Sequence, residues 1–209
     1  MAEGGLATLS VEEFLRRLAS GDPTPGGGSA SALAAALGAS LVSMVCNLTI
    51  GRPRYAEHEA DAKRIQALAE LLGQRVRGYI DQDAGAYGAV IAAYQLPRAT
   101  DEEKAARSDA IQETTLTAAL VPLSVVEASG NVIDLAGEAL GKTNPNAASD
   151  LAVAALLGAA ALDGAAANVE INLASLKDEE QKSRIAARLA KARNGRREQA
   201  MEIAARAHA

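Results

Sequence analysis

Apolar residues recur with a helical period along most of the chain, and no segment alternates apolar and polar residues as a strand does. A clear example runs through Ile65, Leu68, Leu72, Val76 and Ile80. Glycine and proline residues separate the periodic segments, because both end helices and favour turns. The pattern predicts an all-α fold, a bundle of about six helices that includes long ones. The predicted helices cover residues 11–20, 29–49, 55–94, 101–141, 147–176 and 178–207, with a kink at Pro122 and a bend at Asn194-Gly195.

Two helix starts carry a capping-box pattern. Ser10 precedes Glu13, and Thr100 precedes Glu103, at the spacing in which the two side chains cap each other's backbone N–H groups. These motifs place the starts of the first and fourth helices more firmly than hydrophobic periodicity alone.

Composition supports close helix packing. The chain has 49 alanines, 18 glycines, no tryptophan and one phenylalanine. Sheets favour β-branched and aromatic residues, so such a core suits helices. The length of 209 residues predicts one domain, residues 1–209. Cys46 is the only cysteine, which excludes an internal disulfide, and with two histidines the chain predicts no metal site.

Charge and hydropathy limit the partners. The net charge of −5 argues against nucleic-acid binding. Residues 177–209 carry nine basic and five acidic groups, a pattern typical of a solvated helix face. Residues 23–51 contain no charged residue, and this segment is long enough to span a bilayer. Its prolines, glycines, serines and Asn47 favour a buried helix instead, so we expect no membrane association. A lone thiol and the absence of a secretory pattern in the first 22 residues predict a cytoplasmic protein.

The first candidate for chemistry is the glycine-rich turn that contains Gly27, Gly28 and Ser29. Glycine lets a backbone come close to a ligand, and free N–H groups at a helix start attract anions or carbonyl oxygens. No strand precedes this turn and no lysine follows it, which excludes the dinucleotide fingerprint and the P-loop. A plain tight turn is the alternative interpretation.

The second candidate is a helix face that carries Asp83, Tyr87 and Tyr94. An aspartate among alanine, glycine and tyrosine residues loses hydration, which raises its pKa and suits proton transfer near neutral pH. In the alternative, the two tyrosines fill the core while Asp83 reaches water.

Two further polar groups lie on otherwise apolar helices. A solvated helix face is the favoured explanation of one polar stripe at helical spacing, which comprises Glu127, Asn131, Asp134 and Glu138. Asn168 and Asn172 lie one turn apart in an alanine-rich run, where helix-to-helix hydrogen bonds and ligand contacts are equally open. Asp150 opens the same helix, and helix capping is its simplest explanation.

Three stretches of the chain read PTPGGGSASALAAALGASLVSMVCNLTIGRPRY, DQDAGAYGAVIAAYQLPRATDEEKAARSDAIQE and VPLSVVEASGNVIDLA. They resemble the cyclodeaminase/cyclohydrolase family of folate enzymes, as in the C-terminal domain of formiminotransferase-cyclodeaminase. The likeness extends from about Ser10 to about Leu176. It implies an all-α bundle that forms a homodimer, with the folate site near the subunit interface.

The resemblance also implies an activity. Family members occur fused to a formiminotransferase domain or free-standing, and this length leaves room only for the free-standing form. That form implies methenyltetrahydrofolate cyclohydrolase activity, the hydrolysis of 5,10-methenyltetrahydrofolate to 10-formyltetrahydrofolate. One alternative is formiminotetrahydrofolate cyclodeaminase activity, which releases ammonia. A non-catalytic helical folate-binding or scaffold protein is the other.

Within this resemblance, the residues above take expected roles. Asp83 is the expected acid–base group, with Tyr87 beside it. Gly27, Gly28 and Ser29 are expected to shape the pocket and bind the folate, which implies a cavity between the glycine turn and the Asp83 face. Weaker candidates to orient substrate or water are Asn131, Asp134, Asp150, Asn168 and Asn172. No cofactor beyond the tetrahydrofolate substrate is expected.

Overall fold

A computed structural model describes residues 4–207, and within that range the secondary structure is entirely helical. His208 lies outside the described residues. The all-α prediction is confirmed, and the predicted last helix divides in two because Gly195 adopts a left-handed φ of 69°. The α-helices are α1 (Val11–Leu18), α2 (Gly27–Asn47), α3 (Glu59–Tyr94), α4 (Asp101–Ala139), α5 (Ala148–Ser175), α6 (Glu179–Arg193) and α7 (Arg196–Arg206). Short 3-10 helices cover Leu6–Thr8, Pro53–His58 and Pro145–Ala147.

Helices α2 to α5 form an antiparallel four-helix bundle in which each helix packs against two neighbours. Ser29 near the start of α2 contacts Ile80 in the later half of α3, whereas Asn47 at the end of α2 contacts Gln66 in its earlier half. The same reversal relates the other neighbouring pairs. The start of α2 therefore shares one end of the bundle with the later parts of α3 and α5.

Small residues let the bundle helices approach closely. Ala32, Ala35 and Ala39 of α2 are fully buried. A Cβ atom added to Gly38 would lie 2.8 Å from the Val132 side chain and 3.0 Å from the Ala154 carbonyl oxygen. Overfilling a packed core in this way typically costs about 1–3 kcal/mol. The high alanine and glycine content therefore serves the α2–α4–α5 contacts.

Helix α2 begins two residues earlier than the sequence predicts. Gly26 is its N-cap residue and Gly27 its first helical residue. Glycine is a poor helix former, which is why the sequence places the start at Ser29. Contacts with α3 and α5 override that preference, as the site geometry below shows.

The two capping boxes form to different degrees. Thr100 and Glu103 make both reciprocal bonds. Ser10 accepts from the Glu13 N–H at 3.1 Å, but the Glu13 carboxylate bonds Arg16 and Arg17 instead of returning to Ser10. Helix α4 continues through Pro122 as one helix.

Helices α6 and α7 pack across α4 and α5. Ile185, Leu189, Ala200 and Ile203 are buried in this contact. The basic side chains of this segment are not merely solvated, because several pair with carboxylates of the bundle. These pairs are Arg188–Glu127, Arg193–Glu170, Arg193–Asp163, Arg196–Asp134 and Arg197–Asp163.

Three helical stretches are long and apolar enough to cross a membrane: Gly27–Asn47, Asp101–Ala139 and Pro145–Ser175. Between 50% and 61% of their most apolar windows is buried inside the bundle. Helix packing accounts for much of their apolar character, and the expectation of no membrane association stays a prediction.

Candidate functional site

Asp83 of α3 packs directly on the start of α2. A Cβ atom added to Gly28 would overlap Oδ1 of Asp83 and lie 2.7 Å from its Oδ2 atom. Only glycine leaves room for the carboxyl group at this distance. The glycine turn therefore serves the approach of an aspartate side chain, where the sequence analysis expected the approach of a ligand.

Ser29 joins α2 to this carboxyl group. Its side chain is fully buried. The Ser29 Oγ atom lies 3.0 Å from Asp83 Oδ2 and 2.9 Å from the backbone oxygen of Ile80, one turn before Asp83. The hydroxyl thus contacts both the backbone and the Asp83 side chain of α3.

The environment of Asp83 favours its protonated form. Burial raises the pKa of the carboxyl group above its ordinary value, while the hydroxyl and backbone N–H of Ser29 partly offset that rise. Within residues 4–207, no charged side chain contributes to the shift. The sequence prediction of a raised pKa agrees with this environment.

Two asparagines of α5 extend the polar surface at this end of the bundle. Asn168 Nδ2 lies 3.7 Å from the position of a Cβ atom added to Gly27, and it donates to the Gly164 carbonyl at 2.9 Å. Asn172 Nδ2 donates to the carbonyl oxygens of Asn168 and Ala118, both at 2.9 Å. The helix-to-helix interpretation is confirmed for Asn172, which bonds to α4, whereas a ligand contact by either amide stays a prediction.

The tyrosines of the Asp83 face point outward. Tyr87 is 42% exposed and Tyr94 is 51% exposed, whereas Asp83 is partly buried. The alternative in which the tyrosines fill the core is therefore wrong. Asp83 takes the inward position because Gly28 leaves space for a small polar group.

The remaining predicted residues lie elsewhere. Asp134 pairs with Arg196 and accepts from Gln199 at 2.9 Å, which fastens α7 to α4. Asn131 is exposed beside it. Asp150 lies in the first turn of α5, about 27 Å along that helix from Asn168 at 1.5 Å per residue. The structure brings Gly27, Gly28, Ser29, Asp83 and Asn168 together, with Tyr87 and Asn172 one turn away, and leaves Asn131, Asp134 and Asp150 apart.

Five cavities of the described chain, with volumes of about 240–590 Å³, are lined by neither Asp83 nor the glycine turn, and the cavity expected between these two features stays a prediction. The carboxyl group itself fills the space above Gly28. One cavity, of about 330 Å³, lies between α3 and α4 and is lined by Leu68, Leu72, Arg75, Asn131 and Asp134 among others.

The sequence profile of the formiminotransferase-cyclodeaminase family matches residues 10–191 of this chain. The chain belongs to that family. A methenyltetrahydrofolate cyclohydrolase of Methylorubrum extorquens is 50% identical to it over 169 residues, which are 81% of each protein. The resemblance of this chain to the cyclodeaminase/cyclohydrolase family, expected from its sequence, is thereby confirmed.

More distant members share the same domain. The formimidoyltransferase-cyclodeaminase of Rattus norvegicus is 34% identical over 177 residues, which are 85% of this chain and 33% of that protein. The chain thus spans about a third of that relative. A crystal structure of formiminotetrahydrofolate cyclodeaminase from Thermotoga maritima matches with a TM-score of 0.81 at 26% identity and covers 96% of this chain and 94% of that one.

One residue of this formiminotransferase-cyclodeaminase domain escaped the sequence analysis. Asp81, two residues before Asp83, accepts from the backbone N–H groups of Leu6 and Ala7 and so ties the N-terminal 3-10 helix to α3. A Cβ atom on Gly5 would lie 2.6 Å from this carboxylate. No local pattern marks the contact, because it joins residues 75 positions apart.

The domain offers no obvious metal ligands. Among residues 4–207 no group of three or more His, Cys, Asp or Glu side chains is arranged to hold a metal ion. The expectation that no metal takes part stays a prediction.

Proposed function

We propose that this protein hydrolyses 5,10-methenyltetrahydrofolate to 10-formyltetrahydrofolate, with Asp83 as the acid–base group. The observation that carries the proposal is a partly buried carboxyl group, seated on Gly28, whose pKa is raised by burial and not lowered by a cation. The 50% identity to a methenyltetrahydrofolate cyclohydrolase supports the choice of substrate.

The reaction needs a group that both takes and gives a proton. The bridging carbon of the substrate is a delocalised cation between N5 and N10, and water adds to it. Ionised Asp83 takes a proton from the water as the carbon–oxygen bond forms, and the negative charge also stabilises the cation. When the N5–carbon bond breaks, protonated Asp83 gives its proton to N5, and the hydroxyl of the intermediate loses its proton to solvent. One proton is released overall, as the conversion of a cation and water to a neutral formyl product requires.

Other residues at this end of the bundle would hold the substrate. Asn168 and Asn172 use their Nδ2 groups in hydrogen bonds within the chain. Their Oδ1 atoms are then the side-chain groups that would accept hydrogen bonds from a substrate. A pterin ring carries N–H donors along one edge, which these oxygens complement. Asn131, Asp134 and Asp150 lie apart from Asp83 and take no part in this proposal.

We also propose that the protein acts as a cytoplasmic homodimer. Several exposed apolar side chains support a second chain that covers them. Helix α2 exposes Leu37 and Leu48, and the α3–α4 hairpin exposes Tyr87, Ile91 and Tyr94. Light scattering after size-exclusion chromatography tests this: a monomer at micromolar concentration contradicts the proposal.

An ultraviolet absorbance assay tests the activity directly. Purified protein is expected to accelerate the loss of methenyltetrahydrofolate over the rate in buffer, and chromatography is expected to identify 10-formyltetrahydrofolate as the product. A rate equal to that in buffer contradicts the proposal. Folate binding without turnover would instead support a non-catalytic binding or scaffold role.

Cyclodeamination of formiminotetrahydrofolate is the second candidate. The match to the Thermotoga maritima cyclodeaminase structure favours it, and the same acid–base group would protonate the departing ammonia. Ammonia release from formiminotetrahydrofolate, measured beside the hydrolysis assay, decides between the two.

A further inference from the structure

The Ser29 hydroxyl has two hydrogen-bonding neighbours and one proton. It lies 2.9 Å from the Ile80 carbonyl oxygen and 3.0 Å from Asp83 Oδ2, and Ser29 is fully buried from bulk solvent. A carbonyl oxygen only accepts, and an ionised carboxylate also only accepts. Both contacts therefore become hydrogen bonds at the same time only when Asp83 is protonated and donates to Ser29 Oγ.

Ionisation of Asp83 changes that arrangement. The carboxylate then needs a donor, so the hydroxyl must turn its proton from Ile80 to Asp83. The Ile80 carbonyl loses little, because the α-helical N–H of residue 84 still bonds to it. Rotation of the Ser29 hydroxyl about its Cβ–Oγ bond thus satisfies the hydrogen bonds of Ser29, Ile80 and Asp83, whether Asp83 is protonated or ionised.

We propose that Ser29 is a positioning residue that reorients its hydroxyl between Ile80 and Asp83 as Asp83 gains and loses a proton. The inference rests on the proposed function, since it gives Asp83 a partner at each stage of the acid–base cycle. It also makes a claim about this chain alone, because both neighbours of the Ser29 hydroxyl belong to the chain itself.

Neighbouring titratable groups leave this assignment clear. Three segments of the helices packed around Asp83 contain no titratable residue: 27–45 of α2, 114–126 of α4 and 164–169 of α5. On α3 itself, Asp81 faces Leu6 and Ala7, and Tyr87 lies one exposed turn away. The hydroxyl and N–H of Ser29 are therefore the groups that favour the ionised form of Asp83.

Ser31 provides a matched control on the same helix. It is also a buried serine of α2, at 7% exposure, but its hydroxyl donates only to the Gly27 carbonyl, at 2.8 Å. Ser31→Ala removes a comparable hydroxyl without touching Asp83. Ser29→Ala removes the donor to the carboxylate.

Carbon NMR with ¹³C at the aspartate side-chain carboxyls measures the effect without an activity assay. The Asp83 signal is assigned by its loss in Asp83→Asn. Ser29→Ala is expected to raise the Asp83 titration midpoint by about one pH unit, since a hydrogen bond to the charged form is lost, while Ser31→Ala leaves it unchanged. Ser29→Cys, a near-isosteric weak donor, is expected to raise the midpoint by less and covers the case in which Ser29→Ala fails to fold.

An unchanged or lowered midpoint in the Ser29 variants overturns the proposal, and so does an equal rise in Ser31→Ala. The pH profile of kcat/KM for methenyltetrahydrofolate hydrolysis then connects the reorientation of the Ser29 hydroxyl to catalysis. The pH at which kcat/KM changes should shift in the Ser29 variants by the same amount as the NMR midpoint of Asp83. If the wild-type protein hydrolyses no substrate, the proposed function fails while the NMR titration still decides the role of Ser29.

Discussion

Carboxylates at two sides of this molecule have opposite surroundings. Asp83 of α3 packs on the start of α2 among glycine, serine and asparagine residues, and burial raises its pKa. On the side covered by α6 and α7, each of four carboxylates has an arginine partner; they are Glu127, Asp134, Asp163 and Glu170. Asp61, near the opposite end of α3 from Asp83, has its pKa lowered by Lys142 and Arg64.

The contrast separates structural charges from a chemical one. A carboxylate held by a cation stays ionised and joins two helices, whereas burial without a cation raises the pKa of a carboxyl group and favours its protonated form. The residue type is the same on both sides, so the partner decides the role. Each prediction below alters one side and leaves the other intact.

Asp83→Asn should have the largest effect on activity. The amide keeps the shape of protonated Asp83 but cannot carry a proton between water and N5, so kcat should fall by about 10²–10⁴-fold. The ultraviolet assay measures this loss, and circular dichroism checks the fold. A kcat within a factor of two of wild type would remove Asp83 from the mechanism.

The same variant should not lose stability at neutral pH. The folded pKa of Asp83 lies above the unfolded pKa, so the folded state binds its proton more tightly, and stability is lost as pH rises between the two values. Asp83→Asn cannot ionise and escapes this loss. Its Tm should equal or exceed that of wild type at pH 7, with the relative advantage shrinking as the pH is lowered below the folded pKa. A lower Tm only at neutral pH would reverse the sign and contradict the burial argument.

Gly28→Ala should damage both the site and the fold. The new Cβ atom would overlap the Asp83 carboxyl group, so the side chain or the start of α2 must move. We expect a destabilisation of about 1–3 kcal/mol and at least a tenfold loss of kcat. Urea unfolding and the ultraviolet assay measure the two losses.

Gly73→Ala is the matched control for that substitution. It adds the same methyl group inside α3, where the Cβ atom would lie 3.7 Å from the Ala39 Cβ atom, an ordinary contact. Replacing a helical glycine with alanine should add up to about 1 kcal/mol of stability without changing turnover. Equal losses in Gly28→Ala and Gly73→Ala would show that the approach of Asp83 to Gly28 is not special.

The sequence predicts the fold better than it predicts the site. Periodicity, capping residues and breakers are local, so the helices appear within a few residues, and even Asn194-Gly195 is marked as a bend. Asp83 and the glycine turn are each visible as candidates, but their contact joins residues 54 or 55 positions apart, and nothing local places Asp83 on Gly28. The same limit hides Asp81, whose partners are Leu6 and Ala7.

The polar stripe on α4 shows why residue type alone misleads. Glu127, Asp134 and Glu138 share one helix face, for which the sequence favours a solvated surface over a substrate site. In the structure they bond to Arg188, Arg196 and Arg64, each on a different helix. The arginines are distributed over α3, α6 and α7, so the pairing emerges only when those helices pack against α4.

Breaking one of these ion pairs should have the smallest effect. Arg188 makes three hydrogen bonds of 2.9–3.1 Å with the Glu127 carboxylate, but both side chains are more than a third exposed. Solvent screening limits such pairs to about 0.2–1 kcal/mol. Glu127→Gln should therefore lower stability by no more than about 1 kcal/mol and leave kcat unchanged.

A double-mutant cycle with Arg188→Ala isolates the pair. Its coupling energy, measured by urea unfolding, should be largest at low salt and shrink toward zero as the ionic strength approaches 1 M, where the Debye length falls to about 3 Å. Asp83, which has no cation partner among the described residues, should show no such salt dependence in its NMR midpoint. A loss of turnover in Glu127→Gln, or a coupling energy that persists at high salt, would mean that the ion-paired carboxylates do more than attach helices. Either result would weaken the distinction between Asp83 and the carboxylates that pair with arginines.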